Sequence, residues 1–396
     1  MTSKEKGFYS SLGVSARKGD VHAAVGESAG GLFPGAFCKI IPDHLTGSQD
    51  HCLALHADGA GTKSVLAYLY WKETGDVSVF RGISQDSLVM NLDDLACVGA
   101  TGPFLVSNTI ARNAHRIPKE VIREVIEGYK ECAWILGGQG VDVELCGGET
   151  ADMGDLTGTL IVDSTVCVRL ERTKVIDASC IQVGDAIVGL HSYGLVPGET
   201  RENSGIGSNG LTAARHALLK RDYARKYPEA FSSTLKPEEV FGGAFALGDP
   251  LPGSPLSVGE ALLSPTRSFA PFVKRLLGEM AITRVHGLIH NSGGGLGKCL
   301  RFGAGLTFVK DSLPPLPPLF QALLKSGHLQ EREMNEVFNM GIRLEVYVDP
   351  RDVPSVCDIA KSMGLGAGMI GRVEPGSGQG NSLEVKREGR TEVYTL

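Results

Sequence analysis

From Leu160 to Leu170 apolar and polar residues alternate, with Leu160, Val162, Val166, Val168 and Leu170 on one side. A period of two predicts a strand with one buried face. Val141, Val143 and Leu145 alternate with Asp142 and Glu144 in the same way. Shorter apolar runs predict further strands: Cys52 to Leu55, Ala186 to Leu190, the segment around Leu288-Ile289, and the stretch from Phe338-Asn339-Met340-Gly341-Ile342 through Val348. Elsewhere the step lengthens to three and four. Phe80, Ile83, Ser87, Met90 or Asn91, Asp94 and Val98 predict a helix over 77–99, and Ile122, Val125, Ile126, Tyr129, Ala133 and Leu136 predict a second one opened by Pro118 and stopped at Gly137-Gly138-Gln139-Gly140. Helices are also expected over 211–220 and from Ala261 to about Leu277.

Between these elements, residues 1–50 read as an irregular, packed arm, 192–210 as a polar glycine-rich loop, and 221–258 as a long surface excursion. Pro314-Pro315-Leu316-Pro317-Pro318 reads as a rigid connector. A break near 171–183 divides the chain into two expected domains, 1–175 and 176–396, each large enough for its own core.

Composition narrows the function classes. A chain of 396 residues with 42% apolar and 21% charged residues is globular, and a net charge of −6 without a block of like charges argues against a nucleic-acid surface. No apolar run approaches the ~18 residues of a membrane span, and Met1 to Lys6 lead into no apolar segment, so a cytoplasmic protein without membrane contact is expected. The 9 cysteines are scattered and never in C-x-x-C spacing, which favours reduced core thiols over a zinc site or a disulfide framework.

Candidate chemistry gathers at glycine-rich stretches. His56-Ala57-Asp58-Gly59-Ala60-Gly61-Thr62-Lys63 follows a strand and combines a carboxylate, two glycines, a hydroxyl and a lysine. Glycines bring bare N–H groups to an anion, and a carboxylate beside a lysine suits a metal ion and the phosphate it bridges. Cys146-Gly147-Gly148-Glu149-Thr150-Ala151-Asp152-Met153 repeats the logic in what is expected to be a turn at a strand's end. Asp86, Asp93 and Asp94 lie on the helix over 77–99, where at least one carboxylate must face apolar surroundings and so needs a cation or a donor. Gly205-Ile206-Gly207-Ser208-Asn209-Gly210 matches G-x-G-x-x-G but lacks the preceding strand and the following acid of a dinucleotide site. His290-Asn291-Ser292-Gly293-Gly294-Gly295-Leu296-Gly297-Lys298 imitates a P-loop and fails at both ends, at Ser292 and Cys299.

Taken together in this order, the motifs resemble those of the phosphoribosylformylglycinamidine cyclo-ligase (aminoimidazole ribonucleotide synthetase) family. Asp58 to Lys63 is similar to the family's D-G-V-G-T-K, Asp93-Asp94-Leu95 with Gly99-Ala100 to N-D-L…G-A, and Gly147 to Met153 to G-G-E-T-A-E-M. Leu263-Ser264-Pro265-Thr266-Arg267, Ser292 to Gly295, Phe338 to Gly341 and Ile370-Gly371 follow in family order, so the match spans roughly residues 25–375.

The resemblance implies an α/β (α+β) fold of two domains, an N-terminal one that binds ATP and dimerises through its sheet and a C-terminal α+β one. It also implies ATP-dependent closure of an imidazole ring on a small ribonucleotide in purine biosynthesis, by a homodimer. On that basis Asp58, Asp94 and Glu149 are expected to hold Mg2+, with Lys63 at the phosphates and Lys63, Asp94 and Glu149 as the catalytic set. Gly59, Gly61, Thr62, Asp93, Gly147, Gly148 and Thr150 are expected to complete the ATP site, with Asp86 in reserve. Ser208, Asn209, Ser292, Gly293, Gly294 and Gly295 are expected at the substrate's phosphate.

Two departures stand out. The family's S-G-x-H-S-N-G is split here by an insertion at 195–206, and Gly207 occupies its histidine position, which leaves His191 or His216 as replacements; the family's N-D-L is Asp93-Asp94-Leu95, one negative charge more. Competing readings are a thiamine-monophosphate kinase-like or selenophosphate synthetase-like phosphoryl-transfer enzyme, and a non-catalytic nucleotide-binding regulator.

Overall fold

A computed structural model describes residues 7–16, 24, 30–376, 378 and 380–396. Much of the expected N-terminal arm, residues 1–6, 17–23 and 25–29, lies outside the described residues. Five strands, β1 (Ile40–Pro42), β2 (His51–Gly59), β3 (Phe104–Arg112), β4 (Val143–Asp152) and β5 (Leu160–Glu171), form the first sheet in the order β1-β2-β5-β3-β4. β5 is antiparallel to both β2 and β3, whereas β3 and β4 run parallel. Its alternation is as the sequence predicts, with every second residue from Leu160 to Leu170 buried.

Helices α1 (Lys63–Thr74), α2 (Phe80–Ala96) and α3 (Lys119–Gly138) accompany this sheet, and α2 carries Asp86, Asp93 and Asp94. α2 is buried almost all round, including all three of these carboxylates. Its neighbours explain this: it packs on β2 and β5 on one side, on α3 on another, and on a helix of the second domain. The opposite face of the sheet is open, exposing Leu55, Leu105 and Ile161.

The second sheet has seven strands, β6 (Ala186–His191), β7 (Val285–His290), β8 (Leu306–Lys310), β9 (Ile342–Val348), β10 (Ala367–Pro375), β11 (Ser382–Arg387) and β12 (Arg390–Thr395), in the order β12-β11-β8-β10-β6-β9-β7. The first sheet thus ends at Glu171 and the second begins at Ala186. Mixed sheets with helices give the expected two-domain α/β architecture.

Three local expectations are corrected. Gly147 and Gly148 do not end a strand: β4 runs through them to Asp152, absorbing Gly147 (φ 106°) as a bulge against β3. The segment 221–258 is no surface excursion, because Tyr223, Tyr227, Val240, Phe241, Leu247 and Leu251 are buried. The segment 192–210 is irregular, as expected of a loop, with Asn203, Ser204 and Ile206 buried. The single helix expected from Ala261 is two, Val258–Leu262 and Ala270–Glu279, because Pro265 breaks the run and Thr266 is drawn onto Asp86.

Candidate active site

β2 presents His56 and Asp58 two residues apart, hence on one face, toward α2. Asn91 of α2 locks this corner: its Nδ2 donates to the carbonyls of Asp58 (3.2 Å), Ser87 (3.0 Å) and Ser164 (3.2 Å). Three acceptors around the nitrogen turn Oδ1 toward His56, whose Nδ1 lies 2.9 Å away and therefore donates. The other ring nitrogen, Nε2, is 3.2 Å from Oδ2 of Asp94. Burial works against a charged imidazole, but Asp94, Asn91 and Asp58 outweigh it and push His56 up to about 9. His56 is an imidazolium at neutral pH.

Asp94 is clamped from the other side by the second domain. His290, at the end of β7, places Nδ1 2.6 Å from Oδ1 of Asp94, and its Nε2 faces Nη1 of Arg343 at 2.9 Å. Guanidinium groups only donate, so Nε2 accepts and Nδ1 carries the proton given to Asp94. Burial opposes the charge on Asp94, yet the hydrogen bonds from His290 and His56 hold it well below the usual carboxylate range. For Asp58, burial and then the charge of Asp94 raise the carboxyl pKa.

Arg343 also reaches Oδ2 of Asp93 at 2.8 Å, while Oδ1 of Asp93 accepts from Ser268 Oγ (2.8 Å) and the amides of Phe269 (2.9 Å) and Ala270 (3.2 Å) at the start of helix Ala270–Glu279. Asp93 is a domain-joining carboxylate here.

Lys63 is placed differently from expectation. It is fully buried, and Nζ donates to Asp86 Oδ1 (2.8 Å), the carbonyl of Gly207 (3.1 Å) and the carbonyl of Ser264 (2.5 Å). An ammonium has three donors, so none is left for a phosphate oxygen. Asp86 gathers Lys63 Nζ, Thr266 N (2.8 Å) and Thr266 Oγ1 (2.5 Å) on the single oxygen Oδ1, and its Oδ2 is buried without a hydrogen-bond partner. Thr62 Oγ1 pairs with Thr212 Oγ1 at 3.0 Å, again across the two domains.

The metal trio does not meet within one chain. Glu149 is exposed on β4, at the far side of β5 and β3 from Asp58, and three strand steps amount to about 14 Å. Both oxygens of Asp94 are taken by histidines, which leaves Asp58 as the one carboxylate of the three that is both in the site and not clamped by a side chain. Among the described residues no three His, Cys, Asp or Glu side chains converge for a metal ion. Gly147, Gly148 and Thr150 lie with Glu149 along β4, away from Gly59 and Gly61. Gly148 is backed closely by Asn108 and leaves no space for a Cβ.

The two loops expected at the substrate phosphate do come together. A Cβ on Gly293 would lie 3.8 Å from Nδ2 of Asn209, and Ser208 Oγ is 3.0 Å from Thr266 Oγ1. Gly294 (φ 104°) and Gly295 (φ 53°) adopt left-handed backbone, and Gly295 packs under the carbonyls of Asn335 and Phe338. Gly207 also has positive φ, 71°, so a histidine there would be strained. Neither proposed replacement reaches the carboxylates: burial pushes His216 down to about 2 against Phe241, and His191 stacks on Tyr193. His56, His290, Asn91 and Arg343 are the site residues that pattern reading missed. For His56 the signal was its position two residues before Asp58, on the same face of a strand; for His290, its place directly before the Ser292 to Gly295 turn.

Fold and site together define a two-domain α/β protein with a carboxylate–histidine cluster at the domain boundary. Residues 38–168 match the N-terminal domain of the family described as AIR synthase related protein and residues 182–381 its C-terminal domain, and the chain belongs to that family. It is 30% identical to the phosphoribosylformylglycinamidine cyclo-ligase of Methanocaldococcus jannaschii, over 82% of this chain and 79% of that one. The enzyme of the same name from Pyrococcus furiosus is 33% identical over 76% of this chain and 74% of its own. Among solved structures, the hydrogenase maturation protein HypE shares the fold with a TM-score of 0.55 at 14% identity, covering 88% of this chain and 89% of that one.

Proposed function

We propose that this protein is an ATP-dependent cyclo-ligase that closes the imidazole ring of aminoimidazole ribonucleotide, in purine biosynthesis. The observation that carries the reading is the match of both domains to relatives bearing that name, joined to a buried acid–base cluster where the domains meet. In the reaction, the formyl-amide oxygen of formylglycinamidine ribonucleotide attacks the γ-phosphorus of ATP and ADP departs. The neighbouring nitrogen then attacks the activated carbon, phosphate leaves with the former amide oxygen, and a proton is lost as the ring becomes aromatic.

Such chemistry asks for positioning and charge control more than covalent work. In this reading Asp58, Gly59 and Gly61 face the ATP phosphates, and Ser208, Asn209 and Ser292 to Gly295 hold the ribose phosphate. Asp94, fixed by His56 and His290, orients the carboxylate edge of the cleft. Magnesium would neutralise phosphate charge when bound. Asp58 suits it, whereas Asp94 and Glu149 do not share a coordination sphere with it in one chain.

A second copy covering the open sheet face, with its exposed Leu55, Leu105 and Ile161, completes the reading as a homodimer. Glu149 stands on β4 at that open face, on the other side of the sheet from Asp58. Incubating the purified protein with ATP, magnesium and formylglycinamidine ribonucleotide and following the aminoimidazole product tests the reading. Thiamine monophosphate phosphorylation in its place would support the kinase alternative.

A further inference from the structure

Phosphate in this cleft needs a cation, and the obvious ones are already engaged. Lys63 is consumed by Asp86 and two carbonyls, Arg343 by Asp93 and His290, and His56 by Asp94 and Asn91. Arg267 is bound to Glu199 and to the carbonyls of Tyr193 and Gly194, and Lys310 to Glu345.

Lys298 is different. It belongs to the 3-10 helix Gly295–Arg301 that follows the Ser292 to Gly295 loop, three residues after Gly295 and so on the same side of that helix. Its stem folds back over Gly294, where a Cβ would meet Lys298 Cδ at 3.8 Å. The ammonium lies over the ring of Phe37, 5.1 Å from its centre, and has no carboxylate partner among the described residues. Phe37 is itself seated on Phe302 (5.4 Å), and the adjacent Cys38 approaches the carbonyl of Asp94 at 3.9 Å. Lys298 therefore stands beside the Asp94 end of α2, near enough to Asp94 and Asp58 to feel both charges and in contact with neither. A left-handed glycine turn with a half-buried, carboxylate-free ammonium folded over it makes a place for a phosphate group.

We propose that Lys298, and not Lys63, is the side chain that binds a phosphate group in this cleft. The inference builds on the cyclo-ligase reading for the identity of the phosphate, which is either that of ATP or that of the ribonucleotide. A lysine ammonium is a compact charge suited to phosphate, and losing one charged hydrogen bond to it weakens binding about 10- to 100-fold.

The test compares wild type, Lys298→Gln, Lys298→Arg and Lys298→Met. Binding of inorganic tripolyphosphate, ATP and formylglycinamidine ribonucleotide is measured by calorimetry, and thermal stability is measured alongside. Weaker tripolyphosphate and ATP binding in the Gln and Met variants, partly restored by Arg, assigns Lys298 to the polyphosphate. Loss confined to the ribonucleotide assigns it to the ribose phosphate. A role limited to packing on Phe37 would lower the melting temperature and leave all affinities unchanged, which overturns the proposal, as does wild type that binds none of the three. Wild type that binds them but forms no aminoimidazole would defeat the cyclo-ligase reading alone, with the Lys298 assignment still decided by the affinities.

Discussion

Asp93 and Arg343 meet across the domain boundary, Oδ2 to Nη2 at 2.8 Å, with side chains 1% and 2% exposed. The additional negative charge that separates Asp93-Asp94-Leu95 from the related N-D-L is thus neutralised by a buried guanidinium from the strand following Gly341. Arg343 at the same time fixes the tautomer in which His290 donates to Asp94, so one residue serves the interface and the site.

Removing one partner of a buried pair leaves an uncompensated charge and costs about 3–5 kcal/mol. Arg343→Ala is therefore expected to lower unfolding free energy by that order, as read from urea denaturation. Asp93→Asn combined with Arg343→Met should recover much of it, because the charge is gone from both sides while Asn Oδ1 still accepts from the start of helix Ala270–Glu279. A double variant as unstable as the single one would show that the pair is not the cause.

Lys63→Met should act on stability first. It strands the buried Asp86 carboxylate, so a loss of about 3–5 kcal/mol is expected. Tripolyphosphate affinity of the folded protein, measured well below the melting temperature, should stay at the wild-type value, in contrast to Lys298→Gln.

The pH dependence follows from His56. Its folded pKa, about 9, exceeds the unfolded value near 6.5, so its stabilisation is complete below about pH 6.5 and is lost as pH rises through 9. The difference is on the order of 2–3 kcal/mol between pH 6 and 10 for a side chain that is largely buried. Urea midpoints across this range should fall in wild type and flatten in His56→Gln. Asp94 carries the opposite sign: its pKa is depressed, so its contribution is present above about pH 4 and lost only as pH falls through the lower folded value.

Leu55→Lys with Leu105→Glu places charge on the open sheet face without touching the buried one. Sedimentation should find the wild type dimeric and the variant monomeric, with unchanged far-ultraviolet circular dichroism. A wild type that sediments as a monomer would remove this face from the account.

Periodicity made much of the fold legible. β5 and α3 emerge from spacings of two and of three to four, because each buries one side against a continuous neighbour. α2 shows the limit: covered on nearly every side, it carries buried carboxylates at positions that surface reasoning assigns to solvent or metal. Glu149 was misplaced for a different reason, since Gly147 and Gly148 look like a turn but serve as a bulge that β4 passes through. His56 could be paired with Asp58 from strand spacing alone. His290 and Arg343 could not, being 196 and 250 positions from the carboxylates they bind, contacts that only the packing of two domains creates.

The most direct measurement is the stoichiometry of a reaction containing purified protein, ATP, magnesium and formylglycinamidine ribonucleotide, with ADP and aminoimidazole ribonucleotide followed together. One aminoimidazole formed per ADP released, and no ADP without the ribonucleotide, is the predicted result. ATP hydrolysis indifferent to the ribonucleotide, or tight ATP binding with neither product, would contradict the cyclo-ligase assignment.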